Sequence, residues 1–213
     1  LVFDLPGEKV NKLSEEVLDD LDHALDEIAA DKSIRALVVC GGKEASGTFI
    51  AGADINEFLK PPPPGSAGLV EMIASFEGCQ KPIVAAIHGN ALGGGLETAL
   101  ACHYRCGTRD SLYGLPEVLI GILPGGQGTQ RLPRICGVEK ALPLMVSGEF
   151  VQASKALSLG IIDHIVENSL VEGAVAFAQQ VVNEKLPLRK IRDESVPAPA
   201  ENFFEDFKKS ISK

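Results

Sequence analysis

The sequence predicts an α/β protein, and three observations carry that prediction. Short apolar runs bounded by glycine alternate with longer segments of helical period, the pattern of α/β architecture. The runs at 36–40 and 82–87 contain no polar interruption, as expected of strands covered on both faces of a parallel sheet. The second run leads through Gly93-Gly94-Gly95 into a helical pattern, which reads as strand, tight glycine turn and helix N-terminus.

Taken in order, 1–5 is a short strand and Pro6-Gly7-Glu8-Lys9 a turn. The segment 14–30 is a helix, with Val17, Leu18, Leu21, Leu25 and Ile28 on one stripe. Ser14 is placed to cap it, and Leu13 and Leu18 to staple its start. The strand at 36–40 ends at Gly41-Gly42, and the proline run 61–64 within 60–65 reads as a stiff surface loop. After the strand at 82–87 comes a helix over 97–103, with His103 and Tyr104 passing into another strand. Helices at 152–159 and 170–184 flank a strand at 161–166. Beyond Leu186 the chain turns charged and proline-rich. A short amphipathic helix over 202–212 follows, with Phe203, Phe204 and Phe207 on one face. This divides the chain into a body, 1–186, and a linker with a docking helix, 187–213.

Composition narrows the function. The 213 residues are 45% hydrophobic and 23% charged, ordinary for a soluble globular protein. A formal net charge of −9 argues against nucleic acid as a partner. No apolar run approaches the ~18 residues of a membrane span, and no secretory signal opens the chain. Cys40, Cys79, Cys102, Cys106 and Cys136 are odd in number and mostly in apolar settings, which fits reduced thiols in a reducing compartment. Cys102-His103-x-x-Cys106 has no second pair at metal-ligand spacing, so no metal is expected. His23, His88, His103 and His164 read as structural, and Arg131 and Arg134 as pinning the helix that opens at 128–130. The absent initiating Met and the connector-like tail suggest a portion of a longer chain.

The chemistry concentrates in three segments. They are Phe49-Ile50-Ala51-Gly52-Ala53-Asp54-Ile55, the stretch His88 to Glu97 around the glycine triplet, and Gly114-Leu115-Pro116-Glu117-Val118 with Gly121 to Leu132. A helix N-terminus opening on glycine offers unpaired N–H groups and a positive dipole end to an oxygen that becomes negative. Glu97 stands one turn away as an acid or base. Alone, Glu97 is equally a carboxylate favoured by the helix dipole, and Glu117 a turn residue after proline.

Together these segments resemble the enoyl-CoA hydratase/isomerase (crotonase) family. The resemblance rests on A-G-A-D-I, G-x-A-L-G-G-G-x-E, P-E-V-x-x-G-I-x-P-G and G-T-Q-R-L in that order, over residues 1–185. Pro-Gly-Glu-Lys-Val-Asn-Lys-Leu and Pro-Leu-Arg-Lys-Ile are similar to the hydratase part of multifunctional β-oxidation enzymes. Those enzymes carry a 3-hydroxyacyl-CoA dehydrogenase further along the chain.

The resemblance implies a ββα spiral with a helical tail, hydration of trans-2-enoyl-CoA, and isomerisation of 3-enoyl-CoA at the same site. It assigns the thioester oxygen to the N–H groups of Ala53 and Gly94, activation of water to Glu97, the proton for C2 to Glu117, and support of the water to Gly125. It places the CoA ester along Ala51, Ala53, Asp54, Ile55, Gly93 and Gly94, with the backbone around Ala53, Asp54 and Ile55 at the adenine; the CoA moiety also needs a basic neighbour, and Lys9 beside Val10 is the candidate. Two neighbouring carboxyls against an apolar acyl chain imply a raised pKa. No cofactor is implied beyond the CoA of the substrate. Expected partners are an acyl-CoA thioester and either further copies in a trimer-type homo-oligomer or a dehydrogenase domain of the same chain. The expected compartment is a bacterial cytoplasm or peroxisomal matrix, without secretion. A non-catalytic acyl-CoA-binding or scaffolding module on the same fold is the alternative. A dinucleotide enzyme is disfavoured, because no acidic residue follows the glycines in a βαβ frame.

Overall fold

A computed structural model describes residues 1–43, 47–57 and 68–211; the proline run and the end of the 202–212 helix lie outside them. The elements are β1 (Val2–Phe3), α1 (Glu15–Ala30), β2 (Leu37–Gly41), β3 (Thr48–Ile50), α2 (Leu69–Gly78), β4 (Ile83–Ile87), β5 (Asn90–Leu92), α3 (Gly94–Ala101), β6 (Tyr104–Thr108) and β7 (Leu112–Gly114). A 3-10 turn, Pro116–Ile120, follows. Then come α4 (Gly128–Cys136), α5 (Val138–Ser147), β8 (Val151–Gln152), α6 (Ala153–Ser158), β9 (His164–Val166), α7 (Leu170–Asn183), a 3-10 turn Ile191–Asp193 and α8 (Phe203–Ile211).

The strands form two sheets. The first is parallel throughout, in the order β1-β2-β4-β6-β9, and one row across it runs Val2, Cys40, Ala86, Cys106, His164. The second has the order β3-β5-β7-β8, with only β8 antiparallel. The chain steps from the first sheet to the second at β2–β3, β4–β5 and β6–β7, and a helix follows each pair. This is the ββα spiral.

The apolar runs behave as their composition demands. On β4, Ile83, Ala85 and Ile87 enter the larger core with α1, α2 and α3, while Val84 and Ala86 face Ala174, Ala178 and Val181 of α7. Helix α1 buries Val17, Leu18, Leu21 and Leu25, and Ser14 Oγ accepts the Val17 N–H at 3.4 Å. Among the described residues no helix is long and apolar enough to cross a membrane.

Several boundaries differ from the sequence reading. The helix expected at 97–103 starts at Gly94, so two glycines lie inside its first turn, and it stops at Ala101 so that Tyr104 can enter β6. The strand expected at 161–166 shrinks to His164–Val166, because the Ile161 N–H turns back to the Ala156 carbonyl and buries Ile161 and Ile162 in the helical side of the core. Packing continues past residue 186. Tyr104 Oη donates to the Pro187 carbonyl, the Arg189 guanidinium lies over the Tyr104 ring and pairs with Asp163, and Ile191 is buried. Helix α8 has no buried residue: Phe203 stacks on Phe207, and Phe204 is exposed.

One side chain ties the two sheets at the start of the chain. Asn11 is fully buried; its amide donates to the carbonyls of Phe3 (2.7 Å) and Phe49 (3.1 Å) and its oxygen accepts the Leu5 N–H (3.1 Å). Asn11→Ala strands these backbone groups, and urea unfolding is expected to show a loss on the order of 3 kcal/mol. A loss below about 1 kcal/mol would mean that water replaces the amide at no penalty.

Candidate active site

The three parallel strands of the second sheet end on one cavity of about 430 Å³. The chain leaving β3 contributes Ala51, Gly52 and Ala53, the chain leaving β5 contributes Gly93, Gly94 and Glu97, and the chain leaving β7 contributes Pro116 and Glu117. The three segments singled out in the sequence therefore converge because ligand sites form beyond the carboxyl ends of parallel strands.

Backbone ladders aim the first two segments. Ala51 N–H donates to the Asn11 carbonyl, Leu13 N–H to Gly52 and Asp54 N–H to Leu13, at 2.8–2.9 Å. This leaves the Ala53 N–H without an acceptor among the described residues. Gly94 opens α3, where an N–H has no partner within the helix. The two groups are neighbours: a Cβ on Gly94 would lie 3.3 Å from Ala53 N. Gly93 is held at φ +51° by its N–H bond to the Gly114 carbonyl, and a Cβ there would come within 2.9 Å of Glu117 Oε1.

The two carboxyls occupy different surroundings. Glu97 is 1% exposed; its Oε2 accepts the Gly126 N–H at 2.8 Å and its Oε1 the Gly128 N–H at 2.6 Å. A Cβ on Gly126 would sit 2.6 Å from Glu97 Oε2, so this loop needs glycine to reach the carboxylate. Burial raises the Glu97 pKa, against the pull of the two N–H groups and of Arg131. Glu117, on the 3-10 turn after β7, is 9% exposed, and its Oε2 is buried with no hydrogen-bond partner. Burial, with a smaller push from Glu97, moves its pKa up to about 7. One carboxyl is thus bound through both oxygens, while the other keeps one oxygen free and titrates near neutrality. Gly125 also lines the cavity, and a Cβ there would meet nothing within 4 Å.

The rest of the wall is apolar. Ile55, Leu69, Leu119, Ile120, Ile122 and Leu123 complete it. Ile55, Ile122 and Leu123 lie in segments singled out in the sequence, whereas Leu69, Leu119 and Ile120 do not. The available signal was the run Val118-Leu119-Ile120, which follows a carboxylate and stays largely exposed instead of entering the core.

Three expected contacts are not brought to this cavity. Lys9 is exposed on its turn, and neither Lys9 nor Val10 lines the wall. The Asp54 carboxylate turns away to Lys12 at 2.8 Å and to Asn56, contacts that hold it below the usual carboxylate range. Cys102 and Cys106 are buried free thiols whose pKa desolvation pushes up to about 12.

Known proteins resemble this chain in sequence and in fold. The family model for enoyl-CoA hydratase/isomerase matches residues 3–203. The peroxisomal bifunctional enzyme of Homo sapiens is 45% identical over 182 residues, covering 85% of this chain and 25% of that protein. The fatty acid oxidation complex subunit alpha of Shewanella amazonensis is 42% identical over 198 residues, covering 89% and 28% respectively. The chain therefore spans about a quarter of the length of these relatives. Among solved structures, an enoyl-CoA hydratase from Bacillus anthracis superposes with a TM-score of 0.75 at 27% identity, covering 99% of this chain and 85% of that one. With nearly its whole length matched by the family model and its motif segments gathered on one cavity, this chain belongs to the enoyl-CoA hydratase/isomerase family.

Proposed function

We propose that this chain hydrates trans-2-enoyl-CoA to 3-hydroxyacyl-CoA and also moves a 3-enoyl double bond to position 2. The observation that carries the reading is a pair of buried carboxyls in an apolar cavity beside two unpaired backbone N–H groups. The thioester oxygen lies between the N–H groups of Ala53 and Gly94, which stabilise the negative charge it gains as water attacks C3. Glu97, oriented through both oxygens, accepts the proton released by that water. Glu117 donates a proton to C2, so one water is added and both carboxyls exchange one proton. Gly125, open to the cavity, supports the attacking water through its N–H. The apolar wall from Leu119 to Leu123 receives the acyl chain. In isomerisation Glu117 alone takes a proton from C2 and returns one to C4, and no water enters.

The relatives' names speak of peroxisomal and bacterial fatty acid oxidation proteins. We read this chain as the hydratase part of such a protein, in a bacterial cytoplasm or peroxisomal matrix. It needs no cofactor besides the CoA of its substrate. Of residues 187–213, the part beyond the turn Ile191–Asp193 leads toward a dehydrogenase region or packs on another copy in a homo-oligomer.

Loss of the conjugated enoyl absorbance of crotonyl-CoA tests the reading. Glu97→Gln and Glu117→Gln are each expected to lower hydration by about 10²–10⁴, with CoA-ester binding within a few-fold. Wild-type activity in either variant refutes its assigned role. Binding of crotonyl-CoA without turnover by the wild-type protein would instead favour an acyl-CoA-binding module.

The two reactions should respond oppositely to pH. Hydration needs Glu117 protonated, so its kcat/KM is expected to fall as pH rises through about 7. Isomerisation needs the same group as a base and should rise through that range. Parallel profiles for a crotonyl and a 3-enoyl substrate would show that a different group supplies the proton.

A further inference from the structure

Behind the loop that cradles Glu97 lies a buried ion pair that the chemistry above does not use. Arg131 on α4 and Glu77 on α2 are 2% and 1% exposed, and Arg131 Nη2 donates to Glu77 Oε2 at 2.7 Å. Desolvating two charges this deeply is expensive, and apolar residues of similar volume often serve stability as well, so the pair calls for a geometric reason. Arg131 supplies one through its other terminal nitrogen. Nη1 donates to the Gly126 carbonyl (3.4 Å) and to Gln127 Oε1 (3.1 Å). Gly126 and Gly128 are the residues whose N–H groups bind Glu97. The loop is thus held by Glu97 in front and by Arg131 behind. It needs holding, because Gln127 sits at φ +67°, a left-handed conformation unfavourable for a residue with a side chain.

Glu77 is anchored in turn. Its Oε1 accepts the backbone N–H of Arg192 at 3.0 Å, and Arg192 Nε lies 3.6 Å from Oε2. Arg192 belongs to the 3-10 turn Ile191–Asp193 that follows α7, and the neighbouring Ile191 is buried in the main core. A continuous line of contacts therefore runs from the tail turn through Glu77 and Arg131 to the Gly126–Gly128 loop and Glu97.

We propose that Glu77 and Arg131 are positioning residues for hydration. They aim the loop so that its N–H groups orient Glu97 and Gly125 faces the water, and the tail turn Ile191–Asp193 completes the clamp. This rests on the hydratase reading above. The clamp also sets the field at Glu97. That carboxyl faces Arg131 from α4 and Glu117 from the 3-10 turn, with Glu77 on α2 behind Arg131.

The test compares Glu77→Gln, Arg131→Met and the double variant in the full chain, with crotonyl-CoA and activity counted per folded molecule by circular dichroism. Each variant is expected to lower kcat roughly 10–100-fold with KM within about threefold, the range that a small misplacement of a reacting group produces. The acid limb of the pH profile carries the signature that a purely structural role would not move. Glu77→Gln leaves the guanidinium unneutralised near Glu97 and should shift that limb to lower pH. Arg131→Met removes the cation facing Glu97 and leaves the Glu77 carboxylate with only the half-exposed Arg192 as its ion-pair partner, and should shift the limb to higher pH. The double variant carries neither charge, so its limb should return to the wild-type position while kcat stays low. It also avoids an unpaired buried charge, so it decides the matter on kcat alone if either single variant fails to fold. Wild-type kcat in the double variant, or acid limbs moving the same way in the two singles, overturns the inference. Full activity of Glu97→Gln overturns the role assigned to Glu97 and this inference with it, whereas crotonyl-CoA bound but not turned over by the wild-type protein overturns the hydratase reading itself. An inactive Glu97→Gln beside a fully active double variant overturns only the clamp.

Discussion

Helix α3 starts so close to the neighbouring strand that no side chain fits between them, and the site depends on that approach. A Cβ on Gly95 would lie 2.2 Å from the Ile50 carbonyl oxygen, a backbone atom that cannot move aside cheaply. The helix N-terminus is therefore pressed against the exit of β3, which brings the N–H of Gly94 beside that of Ala53. The same first turn carries Glu97 toward the Gly126–Gly128 loop. Gly93, one residue earlier, leaves room for Glu117. One constraint on backbone distance thus positions the two N–H groups and both carboxyls.

Burial supplies the electrostatics, and hydrogen bonding distinguishes the two acids. Desolvation raises the pKa of both Glu97 and Glu117. Two backbone N–H groups and Arg131 work against this at Glu97 and favour its charged form. Glu117 has an unpartnered oxygen and the Glu97 carboxyl nearby, so its neutral form stays accessible near pH 7. Similar side chains in one cavity are thereby suited to opposite halves of an addition, one as base and one as acid. Each titration is coupled to the other, so a measured profile reports the pair.

The spiral also explains why distant segments serve one site. Because β3, β5 and β7 are parallel neighbours in the second sheet, the chains leaving them emerge at the same end of that sheet and meet at the cavity. The first sheet is buried on both faces between α7 and the main core, which makes it a rigid base for those exits. Asn11 links the two sheets at the point where Ala51 to Asp54 take their direction.

Local pattern was enough to read α1, β2, β4 and α7, because each carries its own periodicity, apolar run or cap within a few residues. The candidate carboxyls and the segments of Ala53 and Gly94 could be picked out because their motifs are contiguous in the chain and resemble a known family. Strands β3, β5 and β7 span only three residues each, too few to show a period, and exist because parallel neighbours pair with them. Lys9 looked like a cation for CoA from its place beside Val10 and Asn11, yet Asn11 is drawn inward and Lys9 remains outside the cavity wall. Glu77 and Arg131 lie 54 residues apart, and nothing local marks either as the other's partner. The amino-acid sequence by itself determined the alternation of elements and the glycine turn before α3, since these follow from steric and periodic rules acting over one turn or one strand, and its motifs marked Glu97 and Glu117 as candidates through their resemblance to a family. Tertiary structure alone decided which oxygens are bound, which stay free, which cation stands behind the loop and how far the tail packs, because those depend on distances between residues that only the closed spiral brings together.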